Sequence, residues 1–171
     1  MPNRVRYRDT NFGKIDDVTQ AIPTSSDIMP TMAADSQDWF VVSASSVYSW
    51  YAVYKAFDKV ADTNGWHSTQ SYNNWLQVQL PASKTVTYIT LRTRKWETGL
   101  GIWWWSSYTF QWSNNWSTWT TIDTFNDSTE NQPDTEFSHT VTNTTAYTYY
   151  RMTFTQNSYY LFVSECTLLE Y

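Results

Sequence analysis

The sequence predicts an all-β sandwich, and three observations carry that expectation. Eight short runs rich in Val, Ile, Thr, Tyr, Phe and Trp lie at 39–44, 75–80, 85–92, 108–113, 118–125, 136–142, 147–155 and 161–169, separated by polar turns. Several of them alternate: Leu76, Val78 and Leu80 fall on one face of a strand, Gln77 and Gln79 on the other. No long segment carries a 3.6-residue period, so helical crossovers between parallel strands are absent and antiparallel sheets packed face to face remain.

Taken in order, the runs differ in how they are covered. In 85–92, Ile89 and Leu91 lie opposite Tyr88, Thr90 and Arg92, a pattern that allows cover on both faces. The segment 51–58 (YAVYKAFD) is expected to form one or two helical turns before the first long loop. Trp112–Trp119 (WSNNWSTW) reads as a strand, a polar turn and a second strand. His139 alternates with Phe137 and reads as a strand residue. Cys166, the single cysteine, excludes an intrachain disulfide, and its neighbours Val163, Leu168 and Leu169 predict a buried, inert thiol.

Residues 1–37 differ in texture and are set apart as an irregular N-terminal extension; 38–171 form the sandwich. The extension holds three of the five prolines (Pro2, Pro23, Pro30) and few aromatics. Arg4, Arg6 and Arg8 alternate with Val5 and Tyr7, which reads either as a docking strand or as a flexible leader. The opening MPNRVRYRDTNFGKIDD has no apolar stretch, so no cleavable secretory signal is expected. No apolar run approaches the roughly 20 residues of a spanning helix, so no membrane insertion is expected either.

The net charge of −5 argues against nucleic acid, whose binding needs a basic stripe. Between Lys95 and Arg151 there is no basic residue, whereas Glu97, Asp123, Asp127, Glu130, Asp134 and Glu136 fall in that window. Asp123–Glu136 reads as a solvated acidic cluster. Aromatic residues make up 19% of the chain, more than a core of this size uses, so some rings are expected on a binding surface.

Six motifs then occur in order: Val42-Ser43-Ala44-Ser45-Ser46; Lys55-Ala56-Phe57-Asp58; Gly65-Trp66-His67-Ser68; Trp75-Leu76-Gln77-Val78-Gln79-Leu80; Phe110-Gln111-Trp112-Ser113-Asn114 with Trp119; and Tyr149-Tyr150-Arg151-Met152 with Val163-Ser164-Glu165. This order resembles the discoidin, or coagulation factor V/VIII type C, domain family, which includes the family 32 carbohydrate-binding modules. The resemblance covers about 39–171. It implies an eight-stranded jelly-roll sandwich of the galactose-binding-like type. A narrower resemblance, in Ile28-Met29-Pro30-Thr31-Met32, Ala44-Ser45-Ser46 and Ala52-Val53-Tyr54-Lys55-Ala56-Phe57-Asp58, is to such domains in bacteriophage tail-fibre and virion proteins. It implies a virion location and contacts with other virion proteins through the extension. Without a phage origin, an extracellular or cell-surface location is expected.

By this resemblance, ligand binds in loops at one end of the sandwich, here 46–51, 94–106 and 156–160. The implied glycan-binding residues are Tyr48, Trp50, Arg94, Trp96, Trp103, Trp104, Trp105, Asn157, Tyr159 and Tyr160, with His67 and Glu97 as further polar groups. A sugar needs an aromatic platform and a few fixed hydrogen-bonding groups. The same rings could instead pack on the extension or on a neighbouring subunit. Trp66, Trp75 and Trp119 match buried tryptophans of the family and are expected in the structure rather than the site.

The resemblance also implies a structural calcium held by Asp58, Asp62, Asn64 and Glu165 with carbonyls of the 57–64 loop. Calcium takes six to eight oxygens, which bent loops supply. The family's usual Asp-Gly pair is Asp58-Lys59 here, which brings a positive charge to the loop. The alternative is that Asp58 caps the loop and Glu165 pairs with Lys59 or Arg151. Neither His67 nor His139 lies in an HExxH, GxSxG or Cys–His arrangement, so no enzyme is expected. The expected function is a non-catalytic glycan-binding module displayed in several copies, with cell-surface glycan as partner. A purely structural virion protein is the alternative, and a glycan-cleaving enzyme a remote one.

Overall fold

A computed structural model describes residues 25–69, 72–95, 106–127, 133–155 and 160–170. Eight strands of five residues or more stand among them: β3 (Phe40–Ala44), β5 (Trp75–Lys84), β6 (Tyr88–Arg92), β7 (Ser107–Ser113), β8 (Thr120–Phe125), β9 (Glu136–Thr140), β10 (Tyr147–Thr155) and β12 (Glu165–Glu170). Four two-residue strands complete the set: β1 (Ser26–Asp27), β2 (Ser36–Gln37), β4 (Trp66–His67) and β11 (Phe162–Val163). One sheet runs β2-β3-β5-β10-β7-β8, a second β1-β12-β6-β9, and β4 pairs with β11 as a separate ribbon. All of these pairings are antiparallel. The result is the all-β sandwich that the eight runs predict, in the jelly-roll form that the resemblance implies.

The core follows from the alternation. Leu76, Val78 and Leu80 from β5, Phe110 from β7, and Tyr150 and Met152 from β10 face Ile89 and Leu91 from β6 and Cys166 and Leu168 from β12. Burying each such side chain contributes about 1.5–3 kcal/mol. Tyr150 keeps its hydroxyl satisfied inside the core by donating to the Lys84 carbonyl at 2.6 Å. Cys166 is buried, with its Sγ 3.8 Å from Met152 Sδ, and burial raises its thiol pKa far above the usual range. No helix among the described residues is long and apolar enough to cross a membrane.

Three differences from the sequence reading have local causes. The first strand starts at Phe40 rather than 39, because Asp38 (φ 50°) and Trp39 (φ 69°) form the left-handed turn between β2 and β3. Such two-residue hairpin turns usually take Asn-Gly, and here they hold Trp39 84% exposed at the end of β3 away from Ala44. β5 runs past Leu80 to Lys84, since Pro81 sits where the β5–β10 register shifts, a place that tolerates a missing N–H. Residues 25–37, inside the segment that composition set apart, supply β1 on β12, β2 on β3, and the core side chains Met29 and Met32. The expected helical turns at 51–58 are present as a 3₁₀ turn, Val53–Ala56.

Candidate functional site

The irregular segment after β3 is shaped by three bonds to two neighbouring strands, β5 and β4. Ser45 N–H donates to the Trp75 carbonyl at 3.0 Å, Trp66 Nε1 to the Ser46 carbonyl at 2.8 Å, and Tyr48 N–H to the His67 carbonyl at 2.8 Å. Ser49 has a φ of 52°, and Tyr51 N–H closes the turn on the Tyr48 carbonyl. This turn lifts Tyr48 and Trp50 into solvent.

His67, on β4, is the floor of the arrangement. It is 2% exposed and lies among four rings: Tyr48 at 4.8 Å, Tyr51 at 5.4 Å, Tyr160 at 5.6 Å and Phe162 at 6.1 Å. Burial holds its imidazole down at about 4, and the nearby Arg94 guanidinium pushes the same way. The ring is therefore neutral at ordinary pH and packs as an aromatic. Arg94 lies over Phe162 at 4.9 Å and over Tyr51 at 5.8 Å, with Nη2 donating to the Tyr51 hydroxyl at 3.5 Å. The rim so formed presents Tyr48, Tyr160 and the 69%-exposed Trp50, which leans on Tyr51 at 5.8 Å.

Of the glycan-binding residues expected from sequence, Tyr48, Trp50, Arg94 and Tyr160 come together here with His67. Trp96, Trp103, Trp104, Trp105, Asn157 and Tyr159 lie outside the described residues, as does Glu97. Sequence reasoning missed Tyr51 and Phe162, which wedge between His67 and Arg94. It also missed Tyr72, exposed in the turn just before β5, next to the Ser45–Trp75 bond. An aromatic in the polar stretch Ser71-Tyr72-Asn73-Asn74 was the available signal. Among the expected structural tryptophans only Trp66 is fully buried; Trp75, by alternation with buried Leu76, and Trp119, by its contact with Arg151, are half-buried on the outer face of the six-stranded sheet.

The expected metal ligands sit in the next loop. Glu165 is buried where β12 begins, and neither carboxylate oxygen has a hydrogen-bond partner. The Lys59 and Val60 amides favour its ionised form without reaching hydrogen-bond geometry. Burial pushes its carboxyl up to about 8, against the pull of Lys59. Asp58 is also raised, by burial first and then by Asp62, although its Oδ1 accepts the Val60 N–H at 2.9 Å. The Asp62 carboxylate instead accepts from the Asn64 backbone and side chain. Lys59, left-handed at φ 64°, forms an ion pair with Asp27 of β1.

These donors fit a calcium ion in part. The buried carboxylate of Glu165 lacks a full counter-charge, and Asp58 and the loop carbonyls are oxygen donors of the right kind. Asp62 and Asn64 are turned on each other, and no group of three His, Cys, Asp or Glu side chains among the described residues is placed to hold a metal. The acidic run 123–136 is not uniformly solvated either: Asp127 is buried and meets His139 Nε2 at 2.8 Å. Asp134 and Glu136 both face Arg92, at 2.9 and 3.7 Å, so they do not form a pair open to substrate.

A jelly-roll sandwich with a ring-lined rim at one end is the architecture of a binding module. The profile of the F5/8 type C domain matches residues 41–166, and the chain belongs to that family. Among solved structures it is similar to the family 32 carbohydrate-binding module of C. perfringens NanJ, determined in complex with galactose. The identity is 17%, 77% of this chain and 93% of that chain are covered, and the TM-score is 0.62. It is also similar to chitosan-binding module 1 of a chitosanase/glucanase from Paenibacillus sp. IK-5, at 27% identity, 75% and 92% coverage and a TM-score of 0.55. A third, a Clostridium perfringens family 32 module determined with GalNAc-β-1,3-galactose, shares 14% identity over 75% of this chain and 94% of its own, with a TM-score of 0.61. No curated protein matches the chain significantly.

Proposed function

We propose that this domain is a non-catalytic carbohydrate-binding module whose ligand sits on the rim of Tyr48, Trp50 and Tyr160. The observation that carries this reading is the grouping of three exposed rings around a buried, neutral His67, with Arg94 braced beside them. Exposed rings give a sugar's C–H face a platform, and Arg94 and the phenols supply hydrogen bonds to its hydroxyls. The relatives determined with galactose and with GalNAc-β-1,3-galactose, and the chitosan-binding module, support a neutral or amino sugar as ligand. Intrinsic Trp fluorescence titrated with galactose and with chitosan oligosaccharides tests it. Saturable quenching that disappears in Trp50→Ala and Tyr48→Ala is expected; a glycan array blank for the native chain overturns it.

The biological setting we propose is display on a phage virion, where the domain adheres to host surface glycan. The resemblance read in Ile28–Met32, Ala44–Ser46 and Ala52–Asp58 to such domains of tail-fibre and virion proteins is its ground, with the N-terminal extension, 1–37, as the segment that contacts other virion proteins. Several copies on one particle, as a homo-oligomer or an array, would raise a weak single-site affinity by avidity. Immunogold labelling of purified particles checks the location. Calcium belongs to the same proposal, with Glu165, Asp58 and carbonyls of the 57–64 loop as its ligands. When bound, it would neutralise the buried Glu165 and tie the loop to β12.

A further inference from the structure

The outer face of the six-stranded sheet holds a second arrangement that shares no residue with the rim. Five strands each contribute one residue to a single transverse row: Ser43, Gln77, Arg151, Gln111 and Thr121, each opposite the next. Their chain neighbours Leu76, Val78, Phe110, Tyr150 and Met152 point into the core, so the row lies on the opposite face, where Gln77 is buried beneath its neighbours and Ser43, Gln111, Arg151 and Thr121 keep part of their surface in solvent.

The row is tied together by its own side chains. Gln77 Nε2 donates to Ser43 Oγ at 3.0 Å, and Arg151 Nε donates to Gln111 Oε1 at 3.0 Å. Thr153 Oγ1 donates to the same oxygen at 2.9 Å, and Gln111 Nε2 donates to Thr121 Oγ1 at 3.4 Å. The Arg151 guanidinium lies over the Trp119 ring at 4.2 Å. Trp119 is 6.5 Å from Trp116, whose ring meets Tyr149 edge-on at 5.1 Å. Trp116 has a φ of 65°, a left-handed backbone conformation that is strained for a bulky residue. Asn115 Oδ1 accepts from the Ser117 and Thr118 amides and stabilises the turn that holds it there.

Arg151 has no carboxylate within ion-pairing distance among the described residues, and only its Nε is bonded. Its two terminal nitrogens are held in a fixed plane by Gln111 and Trp119. A guanidinium so positioned is a ready fork for a planar carboxylate. The rings beside it and the amides and hydroxyls of the row match the faces and hydroxyls of sugar units. One isolated guanidinium suits a single carboxylate.

We infer that this sheet face binds an acidic polysaccharide, with Arg151 taking a uronic-acid carboxylate and Trp116 and Tyr149 taking the neighbouring sugar ring. The test titrates the full chain with tetragalacturonate and with its fully methyl-esterified form, by calorimetry and by amide NMR. The acid should bind, the ester should bind about tenfold more weakly or worse, and shifts should centre on Gln77, Gln111 and Arg151. Arg151→Gln should weaken acid binding by a similar factor, and Arg151→Lys should fall between because it keeps charge without the fork. Trp116→Gly removes the ring while suiting the left-handed backbone, so it folds and should also bind weakly. No binding by the native chain, equal binding of acid and ester, native affinity in Arg151→Gln or Trp116→Gly, or shifts confined to the rim would each overturn the inference.

Discussion

The rim segment 45–52 and the acidic loop 57–64 are neighbours in the chain and lean on the same β4–β11 ribbon, yet they solve opposite problems. The rim leaves apolar rings in water and buries a histidine kept neutral beneath them. The acidic loop keeps most of its polar groups wet and buries one carboxylate, Glu165, that burial makes hard to ionise. An exposed ring costs the fold little, and one charge buried without a full partner costs several kcal/mol. The rim is where we propose that the ligand sits, and the acidic loop is where we propose that a cation would offset the buried charge.

The hinge of this comparison is Gly65, which joins loop to ribbon. A Cβ there would meet the Val163 carbonyl oxygen at 2.1 Å and Ser164 Cα at 2.6 Å, both backbone. Gly65→Ala is expected to cost about 3 kcal/mol in urea unfolding, since neither neighbour can turn aside. It should disturb both regions together, seen as loss of calcium response and of sugar binding in one variant.

Glu165→Gln separates the two regions. With chelator present at pH 8, it should stabilise the fold by about 2 kcal/mol, by removing a buried charge. It should also abolish the rise in Tm that calcium gives the native chain, with sugar binding intact. A native Tm indifferent to both calcium and chelator would break the calcium half of the comparison. Lys59→Gly removes the competing ammonium and suits the φ of 64°, so it should strengthen the calcium response.

The rim has its own pH signature. His67 titrates near 4 when folded and near 6.5 when unfolded, so between those values the unfolded chain binds more protons. Its contribution to stability is complete above pH 6.5 and lost as pH falls through about 4. His67→Phe should flatten the slope of Tm against pH in that window, and an unchanged slope would remove His67 from its assigned place. The smallest effect on the fold is expected for Trp50→Ala, because that ring is exposed. Its Tm should match the native value while sugar affinity falls about tenfold.

Much of this was legible in the chain. Runs rich in β-branched and aromatic residues between polar turns located all eight long strands, and alternation in several of them assigned the buried face. The family resemblance named Tyr48, Trp50, Arg94 and Tyr160 in separate loops, and the fold brings them beside His67. Local pattern could not separate Trp66 from Trp75 and Trp119: each sits in a similar run, and only sheet stacking makes the first a core ring and the others outer-face rings. Composition likewise set residues 25–37 apart, because two-residue strands and lone methionines leave no periodic trace.

What the sequence determined by itself was the fold class, the strand set and the surplus of rings, since these depend on neighbours one or two positions away. Tertiary structure alone decided which rings gather around His67, that Glu165 lies buried against the Asp58 loop, and that Ser43, Gln77, Arg151, Gln111 and Thr121 form one row. Those groupings join residues more than 100 positions apart, as Ser43 is from Arg151 and Tyr48 from Tyr160. They depend on strand register and sheet order, which no local preference encodes.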